Sequence, residues 1–178
     1  LMVDAHGTYT VAEAKRFAAM VADCDLAWFE EPVGADDRAG LAESRASTMI
    51  PVAVGESECT RFDFAALIAA RAADILQPDP AFCGGITEAM RIAALASAFN
   101  LRLAPHLWAG APCFFAGLHV LAAAPAGYIV EFSLGANPMI HDLSRAPVVV
   151  QDGTIAVPDA PGLGLEMDIE IIARYARN

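Results

Sequence analysis

Three carboxylates, Asp4, Glu30 and Glu56, stand 26 residues apart, each at the end of a short apolar run. The runs read Leu1-Met2-Val3-Asp4, Leu26-Ala27-Trp28-Phe29-Glu30 and Pro51-Val52-Ala53-Val54-Gly55-Glu56. A strand and its following helix take up about that much chain, so equal spacing means equal position in successive units. If the strands are parallel neighbours, the three acids converge on one rim of the sheet. Converging carboxylates repel one another unless a cation lies between them. The pattern therefore predicts a divalent metal site, and with it an enzyme.

The period runs on. Asp79 follows Glu56 by 23 residues, His106 follows Asp79 by 27, and Glu131 follows His106 by 25. Six successive units thus present Asp, Glu, Glu, Asp, His and Glu at matching strand ends. In α/β barrels the reacting groups come from the C-terminal strand ends. An Asp beside a His is itself a working pair, because the carboxylate orients the imidazole and raises its basicity.

The elements that must carry these groups alternate without a low-complexity linker. Thr10 or Thr8 can cap a helix through Ala12–Met20, and Asp36-Asp37 open a second. Further helices are expected over Phe62–Ala72, Thr87–Phe99 and about Cys113–Ala123. The later strands are Asp74–Asp79, Leu101–His106 and Tyr128–Phe132. Strands alternating with helices of this length are the signature of βαβ units and a parallel sheet. Residues 1–135 hold the units. Residues 136–178 hold an irregular loop, a hairpin signalled by Asp152-Gly153, a turn-rich return over Pro158–Gly164 and a short helix over Ile169–Ala176. The whole is expected to be the C-terminal part of a (β/α)7β TIM-type barrel. It lacks the first strands, because such barrels need about 250 residues and this chain has 178.

Composition narrows the function. The chain is 56% hydrophobic, with a net charge of −11, which argues against a nucleic-acid phosphate backbone as partner and against an anionic membrane surface. The longest apolar stretch, around Cys113 to Ala126, carries His119 and is too short to span a bilayer. No signal-peptide pattern opens the chain. Cys24, Cys59, Cys83 and Cys113 are scattered, which reads as reduced, mostly core cysteines in a cytoplasmic protein. Gly84-Gly85 reads as a tight turn, His119 as packing and Trp28-Phe29 as barrel filling.

At this point the residues carry a family likeness. Val3-Asp4-Ala5, Trp28-Phe29-Glu30-Glu31-Pro32, Gly55-Glu56-Ser57, Gln77-Pro78-Asp79, Cys83-Gly84-Gly85-Ile86-Thr87 and Pro105-His106-Leu107-Trp108 occur in the order seen in the enolase superfamily. Within it the chain resembles the C-terminal barrel region of the mandelate racemase/muconate lactonizing enzyme family, mandelate racemase branch. Pro161-Gly162-Leu163-Gly164-Leu165-Glu166 resembles that family's closing motif. The likeness implies Asp4, Glu30 and Glu56 as Mg2+ ligands, with Glu31 supporting them. It implies His106 as general base or acid with Asp79 as its dyad partner. Glu131 would hydrogen-bond a substrate carboxylate oxygen as negative charge builds there.

The implied chemistry is removal of a proton α to a carboxylate through an enediolate. The implied substrate is a small carboxylate, an acid sugar or its lactone, and the implied outcome dehydration or cycloisomerisation. Racemisation or epimerisation is the alternative within the family. A truncated barrel without activity is the alternative outside it. Members of this branch carry a Lys-x-Lys strand and an N-terminal capping domain before the segment seen here, and the full-length protein is expected to be a homo-oligomer. His6 stands where many relatives have Asn. Strand alternation points it the same way as Asp4, so it either touches substrate, serves as an extra acid, or only hydrogen-bonds locally.

Overall fold

The computed structural model describes residues 1–176. Five short strands form one parallel sheet in sequential order: β1 (Met2–Asp4), β2 (Trp28–Glu30), β3 (Val52–Val54), β4 (Ile75–Leu76) and β5 (Arg102–Leu103). Between them run α1 (Val11–Met20), α2 (Arg38–Ala46), α3 (Arg61–Ala69) and α4 (Gly85–Ala98), and α5 (Ala111–Ala123) follows β5. This is the α/β architecture expected, with helices crossing between parallel neighbours.

Period-2 alternation sorts each strand's side chains into two layers. Phe29, Val52, Val54, Leu76 and Leu103 face the helices and join Leu41, Phe64, Leu67 and Ile92 in the main core. Trp28, Ala53, Ile75 and Ala104 form a separate small cluster on the opposite face. Asp4 and Glu30 are paired in register, and Glu30 lies two residues beyond Trp28, so alternation gives both acids the inner face.

The helix starts are set by local chemistry. Thr10, not Thr8, caps α1: its hydroxyl accepts the Glu13 N–H while the Glu13 carboxylate reaches back to the Thr10 N–H, a complete capping box. Asp37 caps α2 by accepting the Gly40 N–H. Helix α3 ends earlier than Ala72, because Arg71 turns left-handed at φ 57°. Arg61 pairs with Glu88 and so fastens α3 to the first turn of α4, where Arg91 of the same helix also reaches the Glu88 carboxylate.

One expected strand is absent among the described residues. Tyr128–Phe132 pairs with β5 only through the Leu103–Gly127 bridge and the Tyr128 N–H to Leu103 carbonyl bond. Pro105 has no N–H to extend the ladder, and the Leu107 N–H is taken by the Glu131 side chain instead. Tyr128 is held by an edge contact with Trp28 and by the Arg102 guanidinium over its ring.

The remainder lies against α5. A short α6 (Pro138–His141), which the sequence did not signal, precedes the hairpin of β6 (Val150–Gln151) and β7 (Thr154–Ile155), with α7 (Ile169–Tyr175) at the end. Asp152 and Gly153 both take positive φ, as a two-residue hairpin turn demands. Val148, Ile155, Leu163 and Leu165 pack on Phe114, Phe115 and Leu118, and His119 Nε2 lies 3.1 Å from the Leu163 carbonyl. The cysteines are all free, but only Cys83 and Cys113 are buried; Cys24 and Cys59 are exposed, so they are not mostly core. Both lie in loops, Cys24 after α1 and Cys59 ahead of α3, outside the packed layers.

Gly55 sits between β3 and Glu56 at φ 138°, and a Cβ there would lie 2.6 Å from the Phe64 ring and 3.0 Å from the Gln77 N. Gly55→Ala is expected to destabilise the protein by on the order of 3 kcal/mol through backbone strain and overpacking, read from the urea midpoint. An unchanged midpoint would show that this turn is not fixed by close approach.

Candidate active site

The sheet brings the predicted residues to one rim, and the turns after the strands decide where their side chains go. Glu31 is the hub. Its N–H donates to the Ala53 carbonyl at 3.0 Å, and its own carbonyl accepts the Gly7 N–H at 2.7 Å. Its buried side chain accepts the Gly55 N–H at 3.0 Å. One residue, directly after Glu30, thereby links the turn after Asp4 with strand β3 and the turn that carries Glu56. It does so at φ 38°, a costly conformation for a residue with a Cβ. Burial, opposed by the Gly55 hydrogen bond and reinforced by Glu56, Glu30 and Glu58, pushes its carboxyl up to about 7.

The three candidate ligands lean on nearby donors. Asp4 Oδ1 accepts the His6 N–H at 2.7 Å, and Glu30 Oε2 accepts the Trp28 indole N–H at 2.9 Å. Glu56 has His6 Nδ1 at 3.1 Å from Oε1 and His106 Nε2 at 3.5 Å from Oε2. Among the described residues no three His, Cys, Asp or Glu side chains stand close enough, as placed, to hold one ion. The predicted convergence is thus one of a shared rim, while the carboxylate tips are drawn apart onto protein donors.

The donor set nevertheless fits a hard divalent cation. Burial raises the Glu30 carboxyl, the Gln77 and Trp28 hydrogen bonds oppose this, and Asp4 and Glu131 raise it further. Crowded charge of one sign is what a cation relieves. Beside Glu30, a cavity of about 240 Å³ is lined by Trp28, Gln77 and Glu131 among others. Gln77 Oε1 is buried without a partner, so acceptors predominate among the polar groups there.

His106 and Asp79 form the expected pair, Nδ1 to Oδ2 at 2.8 Å. An ionised carboxylate only accepts, which assigns the proton to Nδ1 and leaves Nε2 facing Glu56. Burial lowers the imidazole, but the Asp79 hydrogen bond and the charges of Glu131, Glu56 and Asp79 outweigh it and set the ring at about 9. Asp79 is held below the usual carboxylate range: burial raises it, and bonds from His106, Cys113 and the Ala81 N–H overcome that.

His6 arrives by another route than strand alternation. β1 ends at Asp4, and His6 lies in the turn at φ 49° with its ring largely exposed. Its imidazole reaches Glu56 only because the turn folds it back. The sequence reading missed the Cys113 thiol, 3.0 Å from Asp79 Oδ1. Thirty-four residues separate the two, and no local motif links them.

A parallel α/β sheet that brings carboxylates and a His–Asp pair to one rim, with a further Glu beside them on the segment after α5, is the arrangement of a barrel-type α/β domain. Residues 1–171 match the family described as enolase C-terminal domain-like, and the chain belongs to that family, in the mandelate racemase/muconate lactonizing enzyme group of the enolase superfamily. It is similar to the D-galactarolactone cycloisomerase of Agrobacterium fabrum, 36% identical over 183 residues that cover 98% of this chain and 48% of that protein. The structure of the 3,6-anhydro-D-galactonate cycloisomerase from Zobellia galactanivorans superposes with a TM-score of 0.94 at 32% identity, covering 100% of this chain and 50% of that one. The L-talarate dehydratase from Polaromonas sp. JS666, complexed with Mg and L-glucarate, gives 0.86 at 34% identity, covering 97% and 46%. The chain spans about half the length of the curated relatives it matches. Among the described residues no helix is long and apolar enough to cross a membrane.

Glu131 also has a structural task, since its Oε2 accepts the buried Leu107 N–H at 2.6 Å. Glu131→Ala leaves that donor unpaired and is expected to cost about 1–3 kcal/mol of stability. Glu131→Gln keeps an acceptor and should hold the unfolding midpoint. Equal midpoints for the two variants would remove the structural task.

Proposed function

We propose that this chain is the barrel portion of an enzyme that abstracts the proton α to the carboxylate of an acid sugar or its lactone, leading to dehydration or cycloisomerisation. The observation that supports this most is the His106–Asp79 pair, whose Nε2 faces the rim of carboxylates. The relatives add a substrate class, because those cited act on galactarolactone, anhydrogalactonate and talarate by name.

Asp4, Glu30 and Glu56 would hold a divalent cation, Mg2+ by analogy with the talarate dehydratase complex. That ion would offset the negative charge that builds on the substrate carboxylate as the α-proton leaves. The rest is the work of this chain's own side chains. His106 takes the α-proton at Nε2 while Asp79 holds Nδ1–H and fixes the ring. Of the carboxylates that raise the free ring, Glu56 would have its charge offset by the cation, which would ease the ring's turn as base; afterwards the same ring serves as acid for the departing hydroxyl. Glu31 ties together the chain segments beside the three candidate ligands. Glu131, beside the Leu107 N–H, hydrogen-bonds the substrate carboxylate as negative charge builds there. His6, reached from the same turn as Asp4, contacts the substrate on the open side of Glu56. The complete protein is proposed to be a homo-oligomer of metabolic function.

The complete protein, incubated in D2O with Mg2+ and an acid-sugar panel that includes D-galactonate and L-glucarate, should exchange the α-proton of its substrate. His106→Asn should lower that exchange by about 10²–10⁴-fold. Undiminished exchange in the variant would remove His106 from the base role.

A further inference from the structure

Asp79 has two carboxylate oxygens, and only Oδ2 meets His106. Oδ1 accepts the Ala81 N–H at 2.7 Å and the Cys113 thiol at 3.0 Å. The first bond closes a local turn after β4. The second comes from the first turn of α5, so it ties the carboxylate to a different element. A planar carboxylate gripped at Oδ1 from two directions cannot rotate about its Cβ–Cγ bond without breaking both contacts. The direction of Oδ2, and with it the plane of the His106 ring, is fixed from behind.

We infer that Cys113 is a positioning residue of the His106–Asp79 pair, its thiol donating to Asp79 Oδ1 so that Oδ2 is aimed at the imidazole. This rests on the dyad assignment made above. Three observations carry it. Cys113 and Asp79 are both buried, at 8% and 6% exposure, so water does not compete for the bond. The donor stands at the N-terminal turn of α5, the end whose dipole favours a neighbouring carboxylate. Burial, then the Asp79 hydrogen bond and charge, push the thiol up to about 12; it therefore stays an S–H donor across the working pH range and is no nucleophile. Thiols are weak donors, but an ionised acceptor strengthens the bond. Cys83, the neighbouring buried cysteine, meets Asp79 by its backbone, its N–H donating to the Asp79 carbonyl at 2.7 Å. It serves as a matched control.

Two spectra of the complete protein test this without knowledge of the substrate. The S–H stretch of Cys113, isolated as the infrared difference between wild type and Cys113→Ser, is expected below the frequency of a free thiol and should rise to it in Asp79→Ala. The His106 Nδ1 proton resonance is expected at low field, displaced in Cys113→Ala, restored in Cys113→Ser and unmoved in Cys83→Ala. A Cys113 band at the free-thiol frequency would overturn the inference. So would an Nδ1 resonance unmoved in Cys113→Ala, or one moved equally by Cys83→Ala. Failure of the dyad reading is distinguishable: it shows as α-proton exchange persisting in His106→Asn, whereas an unshifted S–H band with exchange lost in His106→Asn removes Cys113 alone.

Discussion

The site depends on one buried carboxylate that holds other carboxylates in place. Glu31 spends its N–H on strand β3, its carbonyl on the turn after β1 and its side chain on the turn after β3, next to Asp4 and Glu56, while Glu30 is its own neighbour. Two unit charges at 4 Å repel by on the order of 4 kcal/mol at an effective dielectric near 20. Without such a clamp, rim acids would be free to splay into solvent. The clamp is costly in itself, since Glu31 is buried, raised to about 7 and left-handed at φ 38°. Strain of that kind persists only where the surroundings over-determine it.

From that hub the rest follows in order. The Asp4–Glu30 register puts two acids on the inner face. Gly55, with its positive φ and close approach to Phe64, lets Glu56 turn back over the rim rather than continue β3. One strand further on, Asp79 leaves β4 through Pro78 and is caught by Ala81 and Cys113. His106 then falls between Asp79 and Glu56, within reach of both. The charges of Glu131, Glu56 and Asp79 around it raise the proton affinity of the imidazole.

Much of this was legible in the sequence, because period and residue type encode it. The near-constant spacing gave parallel units, and Thr10 or Thr8 as a cap and Asp152 with Gly153 as a turn signalled their elements through local chemistry. Other features lay outside that reach. The loss of a strand at Tyr128 turns on Pro105 and on the Leu107 N–H choosing a side-chain acceptor. The exposed His6 ring reaches Glu56 through a left-handed turn, where strand alternation no longer applies. Cys113 meets Asp79 across 34 residues, a contact that only the packing of α5 against the rim creates. The candidate ligands were identified as residues, but the placement of their oxygens on His6, Trp28 and His106 depends on side-chain competition that spacing does not describe.

The central claim is that Asp4, Glu30 and Glu56 act together on one divalent ion. Calorimetric titration of the complete protein with Mg2+ tests it most directly, run on wild type, on Asp4→Asn, Glu30→Gln and Glu56→Gln singly, and on Glu43→Gln, whose carboxylate pairs on the surface with Lys15. One ion per chain is expected, with affinity lowered at least about tenfold by each rim substitution and unchanged by Glu43→Gln. Absence of binding, or binding indifferent to all three rim substitutions, would contradict it.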